Sequence, residues 1–148
     1  MSFTDSIKKC PLFCDLYEDE FEDFVNTCAI ASYEPGTNII NHGEQGDDFF
    51  VILEGNVDIT VPENGEQIKL ATLQSGEFFG ELVLIDDPNR NATVRANDKT
   101  TCLVIKAEIF YDFYNKKTKL FALMLFNITK ILIKRLKESN EKVAILQN

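Results

Sequence analysis

Imidazole is nearly absent from this chain of 148 residues: His42 is its only histidine. That scarcity argues against a metal centre built on several histidines, as in metal-binding jelly rolls. It argues equally against a Ser-His-Asp triad, because His42 sits in the turn-like stretch "NHGEQG". No catalytic role and no metal are expected. Cysteine is also thin, with Cys10, Cys14, Cys28 and Cys102, and only "CPLFC" forms a close pair. A structural zinc site needs four ligands in a recognisable spacing, so the thiols read as free, buried side chains of a reducing compartment. Long apolar runs are missing too. The longest, Leu120 to Phe126, has seven residues, where a bilayer span needs about 20. The opening "MSFTDSIKKCPLF" lacks the apolar segment of a secretory leader. The expectation is a soluble cytoplasmic protein with no membrane partner.

Basic residues are scarce over most of the length. Residues 1–105 hold 6 Lys+Arg against 20 Asp+Glu, whereas residues 106–148 hold 9 against 4. An acidic body repels nucleic acid. The basic C-terminal part reads as a helix face that complements that body.

The length suits one domain, 1–148. Its first part, 1–34, reads as helical: "LYEDEFEDFV" sets Leu16, Phe21, Phe24 and Val25 near helical spacing. From 35 to 105 the pattern turns to short β-rich runs, "TNIINHG", "DFFVILEGNVDITV", "QIKLATL", "ATVRA" and "TCLVI", divided by glycine and Asn-Asp turns. Such spacing suggests a sandwich or barrel. Asn64-Gly65 is the clearest hairpin turn. Residues 106–148 return to helix. Thr118 to Gln147 contain no Gly or Pro. Ala122, Leu125, Thr129, Leu132, Leu136, Ser139, Val143 and Leu146 step by three and four, a heptad seam suited to a partner helix. A second stripe, Met124, Ile128 and Ile131, suits packing on the protein's own barrel. The fold expected is therefore mainly β with flanking helices.

The stretch "FFGELVLIDDPNRNATVRA", Phe78 to Ala96, places Gly80-Glu81 and Arg90 between apolar flanks. Gly80 before a short helical turn at Glu81 to Leu84 offers backbone N–H groups and close approach to a ligand. Arg90 supplies a planar fork for a phosphate. Glu81 accepts from hydroxyl or N–H donors. A sugar-phosphate in an apolar hollow would satisfy all three, and so, on this chemistry alone, would a partly buried Glu81–Arg90 ion pair.

The same stretch resembles the phosphate-binding cassette of cyclic-nucleotide-binding domains, the family of the catabolite activator protein and protein kinase A regulatory subunits. "GEQGDDFFVILEGNVDI", Gly43 to Ile59, is similar to that family's upstream motif, and "PLFCDLYEDEFEDFV" to its N-terminal helix. The resemblance implies an eight-stranded jelly-roll β-barrel with an N-terminal helix and a long C-terminal helix. It implies that Glu81 binds the ribose 2′-hydroxyl and Arg90 the cyclic phosphate. The backbone around Gly80, Leu82, Val83, Asn91 and Ala92 would line the cassette. "KRLKESNEKVAIL", Lys134 to Leu146, is similar to the family's dimerisation helix, which implies a homodimer and puts Ser139 and Asn140 against the adenine amine. The sequence departs from the family pattern at Asn89, between Pro88 and Arg90, and at Asn91, which leaves the choice of base open. The ligand implied is cAMP, with cGMP the alternative. The chain stops at Asn148 without the helix-turn-helix of the family's activators, so direct DNA binding is not expected and the effector is unknown. The competing reading is an interaction scaffold with a vestigial pocket.

Overall fold

The computed structural model describes residues 4–85 and 87–147. Three short helical elements open the chain: α1 (Thr4–Lys8), a 3-10 turn (Pro11–Phe13) and α2 (Glu18–Val25). Eight strands follow: β1 (Ala29–Tyr33), β2 (Asn38–Ile40), β3 (Asp48–Glu54), β4 (Asn56–Glu63), β5 (Glu66–Gln74), β6 (Phe78–Phe79), β7 (Thr93–Ala96) and β8 (Thr100–Lys106). A 3-10 turn, Glu81–Ile85, lies between β6 and β7. Two helices close the chain, α3 (Ala107–Lys116) and α4 (Thr118–Gln147). The strands form two antiparallel four-stranded sheets, ordered β1-β8-β3-β6 and β2-β7-β4-β5. The Asn64-Gly65 turn joins β4 to β5 with both residues at positive φ, as a type I′ hairpin requires.

Strand β3 shows why the first sheet holds the centre. "DFFVILE" is apolar at successive positions because both of its faces are covered. Phe49, Val51 and Leu53 point toward the helices, into a cluster with Phe24, Phe110, Leu120, Met124 and Ile128. Phe50 and Ile52 point between the sheets, into a second cluster with Ile40, Val57, Leu73, Phe79, Val94 and Cys102. Strand β8 repeats the device, with Leu103 and Ile105 outward and Cys102 inward. The rings of Phe50 and Phe79 stack inside the barrel with centroids 5.0 Å apart.

The barrel starts earlier than the sequence pattern suggests: residues 29–33, assigned to the helical segment 1–34, form β1. "AIASY" is small and weakly patterned. Its conformation comes from pairing with β8, from Ala29 opposite Val104 to Tyr33 opposite Thr100. The four thiols are free, but only Cys10 and Cys102 are buried; Cys28 is half-buried and Cys14 is exposed. It follows the 3-10 turn, whose apolar Leu12 and Phe13 take the inward positions instead.

The two stripes on α4 separate as expected. Met124 and Ile128 are buried and Ile131 packs beside them. Buried Asn127 on the same face donates to the carbonyls of Leu12 (3.0 Å) and Cys14 (2.9 Å), tying α4 to the N-terminal turn. On the other side Leu125, Leu132, Leu136 (62% exposed) and Val143 (48%) face outward. Leu146, the last seam position, has its side chain outside the described residues. No helix among the described residues is long and apolar enough to cross a membrane.

Candidate functional site

The two sequence motifs are stitched together by backbone. Gly43 N–H donates to Arg90 C=O and Arg90 N–H donates to Glu44 C=O, both at 2.8 Å; Gly46 N–H donates to Pro88 C=O at 2.9 Å. Gln45 and Asn89 complete the pairing as a β-bridge. Asn89, the departure between proline and arginine, has its backbone N–H on Asp87 Oδ1 at 3.1 Å, a local turn contact that accommodates it. The "GEQG" turn thus fixes where Arg90 leaves the chain.

Arg90 then turns inward. The residue is 9% exposed, and its Nη2 donates to Asp48 Oδ1 (2.8 Å) and to the Asp48 carbonyl (2.9 Å). Its Nη1 donates to the Gly80 carbonyl at 3.3 Å. Two glycines make room. A Cβ on Gly46 would fall 2.2 Å from Arg90 Nη2, so any side chain there displaces the guanidinium. Gly80 has φ +82°, which favours glycine, and a Cβ would meet Arg90 Nη1 at 3.1 Å. Asp48 carries a second cation, with Lys106 Nζ 3.6 Å from Oδ2 and 3.0 Å from Asp47 Oδ1. The hydrogen bond to Asp47 above all, with the charge of Asp48 beside it, raises the Lys106 ammonium above its ordinary pKa against the opposing effect of burial.

Glu81 opens the 3-10 turn and is held from an unexpected side. Arg135 of α4 places Nη1 3.3 Å from Glu81 Oε1, while its Nη2 donates to the Phe78 carbonyl at 2.7 Å. The Arg135 guanidinium also lies over the Phe78 ring, 4.5 Å from its centroid. The sequence-level alternative of a Glu81–Arg90 ion pair is therefore not what forms. Each residue pairs elsewhere, Arg90 with Asp48 and Glu81 with Arg135.

These groups surround a cavity of about 240 Å³. Buried Ile40, Phe79 and Val94 make its apolar base, and half-buried Ile59 and Val61 with exposed Leu70 stand at its rim. Glu81, Asn89, Arg90, Asn91 and Arg135 are its polar wall, a small-molecule recess with a few convergent polar groups. Of the residues expected at the site, Gly80, Glu81, Leu82, Arg90, Asn91 and Ala92 all line it. Val83 does not, because its side chain is buried in the helix-side core, which leaves only its backbone for the role assigned to it. Ser139 and Asn140 do not line it either; both are exposed on α4, beyond Arg135. Arg135 was missed by sequence reasoning. The one available signal was an arginine among lysines in "KRLKESN", four residues before Ser139, which places it on the same helix face. Among the described residues no cluster of three or more His, Cys, Asp or Glu could hold a metal.

Fold and cavity together define a jelly-roll domain with a small, charged recess beneath an arm helix. The family model described as "Cyclic nucleotide-binding domain" matches residues 30–117. The chain is 36% identical over 107 residues to human cGMP-dependent protein kinase 2, covering 70% of this chain and 14% of that protein. It is 37% identical over 93 residues to a cAMP-dependent protein kinase regulatory subunit from Yarrowia lipolytica, covering 63% of this chain and 24% of that one. The crystal structure of Thermus thermophilus catabolite activator protein superposes with a TM-score of 0.80 at 26% identity, over 93% of this chain and 63% of that one. The chain therefore belongs to the cyclic nucleotide-binding domain family and carries a regulatory module of that kind. It spans less than a quarter of the length of either kinase protein it matches.

Proposed function

We propose that this module answers to cAMP, with cGMP a weaker ligand, and that occupancy shifts α4 and the surface it presents in the cytoplasm. Arg90 receives the cyclic phosphate through its fork, and Glu81 accepts the ribose 2′-hydroxyl. The amides around Leu82, Val83, Asn91 and Ala92 complete the cradle. Ser139 and Asn140 cover the base from α4. Ser139 lies one turn beyond Arg135, the α4 residue already on the cavity wall. The exposed seam of Leu125, Leu132, Leu136 and Val143 supports a second copy as the partner, docked along α4. The observation that carries the reading is the meeting of Glu81 and Arg90, nine residues apart, on one apolar-based cavity where neither pairs with the other.

Calorimetric titration with cAMP, cGMP and 2′-deoxy-cAMP tests it. cAMP binds most tightly. Loss of the 2′-hydroxyl and Glu81→Ala each weaken binding, and combining them adds little, because both remove the same contact. Absence of heat and of any thermal shift at millimolar nucleotide would leave the scaffold reading in its place.

A further inference from the structure

The nucleotide reading leaves one face of α4 without a task. At about 3.6 residues per turn the helix surface divides in three. Met124, Asn127, Ile128 and Ile131 face the body, and Leu125, Leu132, Leu136 and Val143 form the exposed seam. Phe126 (59% exposed) and Ile133 (61%) belong to neither. They lie about 80–100° round the helix from Leu125, beside Lys119, Lys130, Lys134 and Lys137 at about 120–180°. All four lysines are exposed, and among the described residues none has a carboxylate within 4 Å. Lys130 Nζ stands 4.8 Å from the centroid of the Phe126 ring. A line of unpaired ammonium groups with apolar side chains at its edge, in a chain of net charge −9, calls for a partner surface that is acidic and partly apolar.

Such a surface lies next to it. Lys119 Nζ is 5.7 Å from the centroid of the Tyr17 ring, so this third face begins at the entry to α2. Tyr17 is 67% exposed. Asp15, Asp19 and Glu22 near it are exposed too, with no cation within 4 Å among the described residues. A uniformly anionic surface, such as a membrane, would meet these carboxylates on reaching the lysines. A surface with both signs in the same layout avoids that repulsion, and this chain presents one. Phe126 stands seven residues beyond Lys119, about 10 Å along the helix. A two-fold axis beside Phe126 carries the partner's Tyr17 about 10 Å further, to the level of Ile133 between Lys130 and Lys134. Each copy then sets its acidic α2 on the other's lysines, and the two Phe126 rings meet at the axis.

We infer that the third face of α4 is a self-association surface, on which a second copy docks antiparallel with its α2 against Lys130, Ile133 and Lys134. This contact is separate from the seam, and a chain that uses both assembles beyond a dimer. It needs no nucleotide.

The test uses the full chain with the seam disabled by Leu132→Asn and Leu136→Asn, so that only the third face associates. Sedimentation velocity at about 100 μM protein in low salt reads the outcome. The seam-disabled chain sediments as a dimer, and added salt shifts it toward monomer. In that background Lys130→Glu with Lys134→Glu gives a monomer, and so does Asp19→Lys with Glu22→Lys, because each pair of changes brings like charges together. An equimolar mixture of the two reversed chains recovers the dimer, since each meets its opposite, and the recovery shows that both are folded. Where a reversed chain does not fold, Phe126→Ala decides, with dimerisation weakened at least about tenfold. A monomeric seam-disabled chain, an unchanged dimer in a reversed chain or in Phe126→Ala, or a mixture of folded reversed chains that stays monomeric would overturn the inference. So would binding of the wild-type chain to phosphatidylserine vesicles that is lost on Lys130→Glu with Lys134→Glu, which would give the face to a membrane.

Discussion

Replacing Arg90 by alanine removes one buried ion pair and two charge-assisted hydrogen bonds to carbonyls. Breaking a buried pair costs about 3–5 kcal/mol when the remaining charge has no other partner. Here Asp48 keeps Lys106 at 3.6 Å and a fifth of its surface in water. The stability loss should therefore sit nearer about 2–3 kcal/mol. For a domain of this size that lowers Tm by roughly 5–10 °C. Binding suffers separately. In the proposed reading the fork meets a cyclic phosphate, and its loss costs about 2–5 kcal/mol, roughly 30- to 5,000-fold in affinity. Arg90→Lys separates the two effects. An ammonium can still pair with Asp48 and recover much of the stability, but a point charge cannot replace a planar fork, so affinity stays low. Thermal unfolding and calorimetry with cAMP on folded wild type, Ala and Lys variants read both quantities. Wild-type affinity in the two variants would refute the assignment of Arg90. Parallel recovery of stability and affinity in the Lys variant would refute the argument from the fork.

Gly46→Ala should copy much of the Arg90 defect without touching a charge, because the new Cβ would lie 2.2 Å from Nη2 and force the guanidinium off Asp48. An affinity loss of at least about tenfold, at a stability cost of about 1–3 kcal/mol, is expected in the same two assays. Arg135→Ala should free α4 from Glu81 and Phe78, lowering stability by about 1 kcal/mol, since both charges are about a quarter exposed. Amide exchange should then quicken in α4 beyond residue 131 and not in β3. Thiol labelling at pH 8 should modify Cys14 first, because it is exposed. Burial pushes Cys10 up to about 11 and Cys28 and Cys102 up to about 12, so buried Cys10 and Cys102 should react only in denaturant and half-buried Cys28 more slowly than Cys14. Fast labelling of Cys102 in the native protein would contradict the packing between the sheets.

Much of this molecule is legible without coordinates because the information is local. An unbroken apolar run such as "DFFVILE" marks a strand covered on both faces. Asn64-Gly65 supplies the two positive φ angles its hairpin needs. Gly80-Glu81 and Arg90 suit either a sugar-phosphate site or an ion pair by residue type and spacing, and the resemblance of the surrounding stretch to a known cassette is what favours the first. The strand β1 is not legible in this way, because "AIASY" carries little pattern and takes its shape from β8, some seventy residues away.

The sequence by itself determined which residues could recognise a sugar-phosphate, since donors, acceptors and turn-making glycines are properties of side chains and short spacings. Only the tertiary structure decided which groups of the protein those residues pair with. Arg90 leans on Asp48, 42 residues earlier, and Glu81 on Arg135, 54 residues later. Charge pairing depends on distance through space and on burial. Neither follows from position along the chain, and the partners were settled only when β3 and α4 closed on the cassette.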